Sequence, residues 1–474
     1  MRKVLVMSYD VSNLRHFFEA RSIAVIGASE KPGTIGRAIM TNLLERFKGK
    51  IYPVNIKYDQ VFGLKCFKSV LEIPDEVDLA VIAVPAKVVP KVADDCGKKG
   101  VKTLLVISAG FKEVGPEGAE LERRLVEVVR KYGMRMIGPN CLGIYDAHTG
   151  LDTIFNPSEK QLKPKPGVIA FISQSGALGA AILDWMGLAG IGMSKFISYG
   201  NAADVKEYEL IEYLAEDPKT KVITAYIEGV EDGRKLMSAV SKAVRLGKPV
   251  VVLKAGKTER GAKAASSHTG ALAGAYKIYE AGLKQAGAII VDDLYELFIA
   301  LKALSLSKPP KGKGVAIVTN GGGAGVLATD SIELLGLEVA NLSRETIDEL
   351  RKVLPPAASP YNPVDVLGDA PASRYEEALR IVSKDPNVHS ILVIALLQAP
   401  ALDGDELVNT VREFSKSVDK PIVMSFPGGA YAEKYMKIME EAGIPSFKTV
   451  MEAVKAIKYL YEFSVRRAKA LTKR

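Results

Sequence analysis

The chain has 474 residues, of which 48% are hydrophobic and 25% are charged. This composition is typical of globular proteins and excludes disordered, collagen-like and coiled-coil chains. The net charge of +9 favours anionic ligands, and the single dense basic run lies at the C-terminus, so we expect small anions rather than nucleic acid. At about 150 residues per domain, the length predicts about three domains.

Neither a membrane span nor a targeting segment is expected. The longest uncharged stretch, residues 166–183, contains several glycines and polar side chains, which makes it a poor bilayer span. The first ten residues become charged too early for a signal peptide. The three cysteines are too widely spaced for a disulfide framework or a metal site. We therefore expect a cytoplasmic protein without a bound metal.

Short apolar runs alternate with longer amphipathic stretches over the first 145 residues. This alternation predicts a parallel β-sheet with helices on both faces. Ligands of such sheets bind at the carboxyl ends of the strands, so we expect a binding site there. The predicted strands are residues 22–27, 50–55, 79–85, 103–110 and 134–140.

The turn after the first predicted strand, residues 27–36, has glycines at three positions. Glycines let a ligand approach the backbone, and the helix that follows offers N–H groups to a phosphate. The turn does not have the GxGxxG pattern, and the second strand is followed by Asn55 and Lys57 rather than by an acid that would bind a ribose hydroxyl. We predict a phosphorylated ADP-like ligand rather than NAD; a helix-packing turn and a surface lysine would give the same pattern.

Two segments rich in proline and lysine, residues 156–167 and 307–314, look like linkers. They predict domains at residues 1–150, 160–306 and 312–474. The second and third domains resemble each other: residues 173–179 (SQSGALG) align with residues 319–325 (TNGGGAG), each after an apolar run. We infer a duplicated α/β unit. Each aligned turn is a candidate phosphate site at a helix N-terminus, although doubly wound domains commonly have one such turn.

The two copies differ in length at one place. Between a Lys-Pro pair and an Ala-Gly pair, the first copy spans 38 residues (248 to 286) and the second spans 22 (420 to 442). The extra residues include 258–274, which are rich in alanine and glycine and contain His268. We expect this insertion to be a flexible loop that serves chemistry rather than the fold.

A histidine on such a loop can accept a phosphoryl group and carry it between sites. A carboxylate partner would orient the imidazole, and Glu228, directly after the apolar run 222–227, is the candidate. The second copy has an uncharged ALLQA segment at that place. We expect His16, His148 and His389 to be structural. A P-loop at 256–258 is rejected because residue 251 is not glycine. We do not expect Cys141 to be a catalytic thiol, because His148 is the only histidine near it in the sequence.

Four motifs together resemble the α subunit of ADP-forming (NDP-forming) acyl-CoA synthetases, which are relatives of succinyl-CoA synthetase. The resemblance runs through essentially the whole chain. It implies an α/β fold of three doubly wound domains, a Rossmann-like coenzyme A-binding domain followed by two flavodoxin-like, succinyl-CoA-synthetase-like domains. The motifs are residues 22–29 with 32–33 (SIAVIGAS, PG), 138–143 (GPNCLG), 173–176 (SQSG) and 264–271 (AASSHTGA).

The resemblance also implies roles for individual residues. His268 would be the phosphorylated histidine and Glu228 its carboxylate partner. The coenzyme A site would be lined by Ala28, Ser29, Pro32, Gly33, Lys57, Val84, Pro85 and Asn140. Phosphate would be held by the paired turns, through Ser173, Gln174, Ser175 and Gly176 in one and Gly321, Gly322 and Gly323 in the other.

In that family an ATP-grasp domain binds the nucleotide, and the sequence contains none. The resemblance therefore implies a separate β subunit that binds ADP or ATP with Mg, in an α2β2 enzyme. The implied reaction is that of an acetate–CoA ligase (ADP-forming): acyl-CoA, phosphate and ADP give an organic acid, CoA and ATP. The alternatives are a non-catalytic CoA-binding regulatory subunit, which would lack the histidine or the carboxylate, and an NAD-linked dehydrogenase, which needs an acid near Asn55.

Overall fold

The computed structural model describes residues 11–269 and 276–472, and for residues 265–269 it describes the backbone only. It divides into two compact units, Met1–Asp292 and Asp293–Arg474. Each of the three larger sheets has a parallel centre with helices between successive strands, which confirms the predicted α/β class. Within the described ranges, no helix is both long and apolar enough to cross a bilayer.

The first sheet of the N-terminal unit is parallel and confirms the five predicted strands. Its central strands β1, β5 and β6 are buried along their whole length, which suits continuous apolar runs. The strand order is β2-β1-β5-β6-β7. The elements are β1 (Ser22–Ile26), α1 (Ile35–Arg46), β2 (Lys50–Val54), β3 (Gln60–Val61), β4 (Leu64–Lys65), β5 (Leu79–Ile82), α2 (Val89–Lys99), β6 (Thr103–Val106), α3 (Pro116–Lys131) and β7 (Arg135–Ile137).

The second sheet of this unit has the order β14-β13-β12-β10-β11-β8-β9. The strands from β14 to β11 are parallel, whereas β8 is antiparallel to β11 and β9 is antiparallel to β8. Two strands that precede the predicted linker at 156–167 thus extend this sheet. The elements are β8 (Ile144–Asp146), β9 (Leu151–Asp152), β10 (Pro166–Ser173), α4 (Gly176–Leu188), β11 (Met193–Ser198), α5 (Glu207–Glu216), β12 (Val222–Ile227), α6 (Gly233–Arg245), β13 (Val250–Lys254), α7 (Glu259–Thr269), α8 (Tyr276–Ala286) and β14 (Ile289–Val291).

The C-terminal unit contains a parallel sheet of order β16-β15-β18-β19-β20, in which β17 also pairs with β15. The long last helix, α15, packs against α9 and α10. The elements are α9 (Leu294–Leu306), β15 (Gly314–Thr319), α10 (Gly322–Leu334), β16 (Glu338–Val339), α11 (Arg344–Val353), β17 (Val364–Asp365), α12 (Ala372–Val382), β18 (Ser390–Ile394), α13 (Gly404–Ser417), β19 (Ile422–Ser425), α14 (Ala430–Glu441), β20 (Ser446–Phe447) and α15 (Val450–Thr472).

The strand registers agree with the predicted duplication. Ser173 pairs with Tyr226 as its aligned residue Thr319 pairs with Ile394. Tyr226 pairs with Leu253 as Ile394 pairs with Ser425, so the residue after Leu253, Lys254, corresponds to the residue after Ser425, Phe426. Structurally equivalent positions of the two copies are therefore Tyr226 and Ile394, Glu228 and Leu396, and Lys254 and Phe426.

The insertion that separates the copies is helical over most of its described length. In the first copy β13 is followed by α7 and α8, whereas in the second β19 is followed by α14 alone. The prediction of a flexible loop is wrong for residues 259–269, because alanines favour helix and the Thr258 hydroxyl accepts a hydrogen bond from Gly261 N at 3.1 Å. Helix α7 lies against the 3-10 turn Lys112–Val114. Residues 270–274 of the predicted loop lie outside the described residues.

Candidate active site

The carboxyl edge of the first sheet collects all residues predicted to line the coenzyme A site. Because its strands are parallel, the segments that follow them lie along one edge. The connection from β1 leads to one side of the sheet and the connection from β2 returns to β5 on the other side of β1, and ligands bind at such a change of direction. The edge carries Ala28, Ser29, Pro32 and Gly33 after β1, Lys57 after β2, Val84 and Pro85 after β5, and Asn140 after β7.

The glycines of the β1–α1 turn have two distinct uses. A Cβ at Gly36, the second residue of α1, would lie 2.0 Å from the carbonyl oxygen of Gly27, so only glycine lets the helix pack on the turn here. Gly33, in contrast, has φ of +77° and nothing within 4 Å of its Cβ position. Helix packing thus explains Gly36, while Gly33 lies in an open part of the turn.

Asn55 connects the second strand to this turn. Its side-chain Nδ2 donates to the carbonyl oxygen of Ala28 at 2.8 Å, and its Oδ1 accepts from Lys57 N at 2.9 Å. The structure therefore brings the exposed Lys57 next to the turn that follows β1. An ammonium at that place is suited to a phosphate group of a ligand.

Asn140 begins a partly buried polar network whose other members were not among the predicted site residues. Its N–H donates to Ser108 O at 2.9 Å and its Nδ2 to the Asn201 Oδ1 at 3.3 Å. Asn201 in turn donates from Nδ2 to Glu113 Oε2 at 2.7 Å and to Glu122 Oε2 at 2.8 Å. The network joins the edge of the first sheet to the loop after β11, over residue separations that no local sequence pattern could reveal.

The first predicted phosphate turn is fixed by its own side chains and is joined to Glu228. Ser173 Oγ donates to Ser175 O at 2.6 Å, and Ser175 Oγ caps α4 by accepting from Leu178 N at 3.3 Å. The side-chain oxygen of Gln174 accepts from Glu228 N at 2.8 Å and from Gly229 N at 3.1 Å. Two of the predicted site residues, Gln174 and Glu228, are thereby brought into direct contact.

The second predicted phosphate turn lies in the C-terminal unit and has a simpler start. Gly321 precedes α10 without a side-chain cap, and Gly322 and Gly323 are exposed. A Cβ at Gly322 would lie 3.0 Å from Asp365 Oδ2, so this acid, which sequence analysis missed, lies beside the helix N-terminus. In the same copy Asn320 Oδ1 accepts from Leu396 N at 2.9 Å, the counterpart of the Gln174–Glu228 contact.

Glu228 belongs to a cluster of polar side chains at the carboxyl edge of the second sheet. Its side chain is buried, and burial together with the Glu228 carboxylate raises the pKa of Tyr226. The Lys254 Nζ donates to Glu228 O at 2.8 Å, and burial lowers the pKa of Lys254 to about 8 against an opposing effect of Glu228. Lys254 was not among the predicted site residues, although a lysine that ends the apolar strand VVVLK is a detectable signal.

His268 lies in the last turn of α7, and its side chain is outside the described residues, so its pairing with Glu228 stays a prediction. His148 Nε2 donates to Gly167 O at 2.9 Å, in keeping with a structural role. Burial raises the pKa of the Cys141 thiol to about 12, and its Sγ lies 3.3 Å from Val106 O, which argues against a catalytic thiol. Among the described residues, no group of His, Cys, Asp or Glu side chains could hold a metal ion.

Three sequence families match successive parts of the chain. Residues 21–147 match the family described as CoA binding domain, and residues 166–304 match the succinyl-CoA ligase like flavodoxin domain. Residues 315–471 match the Ligase-CoA domain.

Curated relatives are similar along nearly the whole chain. The α subunit of acetate–CoA ligase [ADP-forming] I from Pyrococcus furiosus is 46% identical over 96% of this chain and 99% of its own length. Acetate–CoA ligase [ADP-forming] I from Archaeoglobus fulgidus is also 46% identical over 97% of this chain, which spans only 65% of that relative.

A solved structure has the same fold. The dinucleotide-forming acetyl-coenzyme A synthetase 1 of Candidatus Korarchaeum cryptofilum, in complex with phosphate and ADP, has a TM-score of 0.89 and 38% identity. The match covers 95% of this chain and 97% of that one.

Proposed function

The chain belongs to the family of ADP-forming acyl-CoA synthetases, as a chain of the α-subunit type, and on that premise we propose that it converts acyl-CoA and phosphate into an organic acid, CoA and a phosphohistidine. In this proposal residues 1–150 bind coenzyme A, residues 160–306 carry His268, and residues 312–474 supply the second phosphate-binding turn. The complete reaction joins acyl-CoA, phosphate and ADP to give an organic acid, CoA and ATP.

The proposed chemistry has three steps. An oxygen of phosphate attacks the thioester carbonyl carbon, the C–S bond breaks, and CoA leaves as a thiolate that takes up a proton. A ring nitrogen of His268 then attacks the phosphorus of the acyl phosphate, and the organic acid leaves as its carboxylate. Finally the phosphoryl group passes from His268 to the terminal phosphate of ADP. Helix N-termini stabilise the negative charge of the transferring group.

The observation that carries this proposal is the asymmetry of the two copies at one strand end. Glu228 is held at its backbone by Gln174 of the first phosphate turn, and it occurs in the copy that also has the His268 helix. The other copy keeps the equivalent contact, from Asn320, but has Leu396 in place of the acid. A carboxylate beside an imidazole orients the ring and stabilises its charged form, so an acid is needed only where the histidine is.

The edge of the first sheet supports coenzyme A as the ligand of that region. A glycine-containing turn, the exposed Lys57, and Val84, Pro85 and Asn140 follow different strands and lie along one edge. Such an arrangement gives a phosphate-binding helix start at one position and apolar groups for an extended ligand at others. We propose that the phosphates of coenzyme A lie at the β1–α1 turn.

A second chain completes the proposed enzyme. The match covers 65% of the Archaeoglobus fulgidus relative but 99% of the Pyrococcus furiosus α subunit. The longer relative supports a partner chain for this one. We propose that this partner is a β subunit with an ATP-grasp domain that binds ADP or ATP with Mg, in an α2β2 assembly.

The test is phosphoenzyme formation in the complex with the β subunit. Acetyl-CoA and radiolabelled phosphate should label the chain with a bond that is stable in alkali and lost in acid, as expected for phosphohistidine. His268→Ala should abolish the label, and Glu228→Gln should slow its appearance. Label that survives acid, or that persists in His268→Ala, contradicts the proposal, and CoA binding without any label would indicate a regulatory subunit instead.

A further inference from the structure

Lys254 is a buried cation beside the proposed catalytic pair. It ends β13 and is only 5% exposed. Its Nζ donates to two backbone carbonyl oxygens, that of Glu228 at 2.8 Å and that of Ala255 at 2.6 Å, and lies 4.9 Å from the ring centre of Tyr279 on α8. Lys254 thus contacts the end of β12, the start of the connection to α7, and the helix that follows α7 in the chain.

The fold itself does not require this cation. Burying an ammonium group is costly unless it is paired and hydrogen-bonded. The second copy has the buried Phe426 at the position of Lys254, Leu396 at that of Glu228, and Ile394 at that of Tyr226. Three polar residues of the first copy are therefore replaced together by apolar residues in a copy with the same strand order. Lys254 thus occurs together with Glu228 and is not required for the fold of the sheet.

A second lysine near the same strand serves as a comparison, because it supports the fold in both copies. Lys248, before the amino end of β13, donates to Leu214 O at 2.9 Å and to Asp217 O at 2.6 Å. Its equivalent in the second copy, Lys420, also donates to a backbone carbonyl, that of Asp385. The lysine that supports the fold is thus present in both copies, whereas Lys254 is present in one.

The backbone of Glu228 is fixed from two sides. Gln174, in the phosphate turn, accepts from its N–H, and Lys254 donates to its carbonyl oxygen. The same ammonium holds Ala255, from which the chain leads to α7 and His268. We propose that Lys254 is a positioning residue for phosphoryl transfer, which holds Glu228 and the root of the His268-bearing segment in a fixed relation. This inference rests on the proposed function.

A misplacement of about 1 Å in a reacting group can lower a rate about 100-fold. In the complex with the β subunit, Lys254→Met should therefore slow labelling by acetyl-CoA and radiolabelled phosphate by roughly 10- to 100-fold, with the KM for acetyl-CoA unchanged. Lys248→Met is the matched control, because it also removes an ammonium that holds two carbonyls. It should lower the thermal midpoint but label at the wild-type rate per folded molecule.

Lys254→Arg keeps a permanent cation and serves if Lys254→Met does not fold. Among the described residues, titratable groups near the ammonium include Glu228, directly after β12, and Tyr279 on α8. Because the pKa of Lys254 is about 8, the wild-type labelling rate should fall as the pH rises through that value, whereas the arginine variant should label without this decline.

The outcomes distinguish a failure of the positioning role of Lys254 from a failure of the proposed function. Wild-type labelling that depends on His268, together with an unaffected Lys254→Met, overturns the positioning role alone. Equal slowing by Lys248→Met and Lys254→Met per folded molecule overturns it as well. Absence of label in the wild type overturns the proposed function and this inference with it.

Discussion

Glu207 allows a quantitative test of how burial of a carboxyl group changes the stability of the N-terminal unit. It is the first residue of α5, is 3% exposed, and its Oε1 has no hydrogen-bond partner among the described residues. Burial raises the pKa of its carboxyl from 4.5 to about 7. A gap of that size corresponds to about 3 kcal/mol at about 1.4 kcal/mol per pH unit.

The sign follows from proton uptake. Between pH 4.5 and about 7 the folded chain keeps a proton that the unfolded chain loses, so stability contributed by the protonated acid is present below 4.5 and is lost as the pH rises. Glu207→Gln removes this dependence. The variant should match the wild type near pH 4.5 and be up to about 3 kcal/mol more stable above pH 7.

The assay is urea unfolding at several pH values, followed by the fluorescence of Trp185, the single tryptophan of the chain, which lies in the same unit as α5. Glu209→Gln is the matched control on the same helix, since Glu209 accepts from Arg135 at 2.7 Å and from Lys206 N at 3.1 Å. The free energy of unfolding of that variant should be about 1 to 3 kcal/mol lower than that of the wild type. A stability difference for Glu207→Gln that does not change with pH would refute the reasoning.

Three further predictions concern other parts of the N-terminal unit. Gly36→Ala should abolish coenzyme A binding and strongly lower the melting temperature, because its Cβ would lie 2.0 Å from a carbonyl oxygen. Gly33→Ala should lower the free energy of unfolding by only about 1 kcal/mol. Calorimetry and thermal denaturation compare the two variants, and equal losses of CoA binding and stability would contradict the packing of Gly36 on the turn. Gln174→Ala should slow phosphoenzyme formation roughly 10-fold or more without changing the Kd for CoA, since it frees Glu228 N; an unchanged labelling rate would remove Gln174 from the site. A thiol reagent at pH 8 should modify none of the buried cysteines before unfolding, and reaction in the folded state would contradict the raised pKa values of Cys66, Cys96 and Cys141.

Local patterns were sufficient for the elements of the first sheet and for the duplication. Buried parallel strands leave continuous apolar runs in the sequence, so the segments that became β1, β2, β5, β6 and β7 were recognisable. The same local reasoning gave a wrong result for residues 259–269, where small residues were taken as a sign of a loop although alanine favours helix.

The sequence by itself determined that the chain is a duplicated α/β protein, that one copy has an insertion with a histidine, and that an acid stands at a strand end of that copy. Tertiary structure alone decided what surrounds the acid. Gln174 and Glu228 are 54 residues apart, and Asn140 and Asn201 are 61 apart. The physical reason is that hydrophobic periodicity reports which face of an element is buried, whereas contacts between distant strand ends depend on strand order and register. The equivalence of Lys254 and Phe426 follows from those registers and not from the sequence pattern.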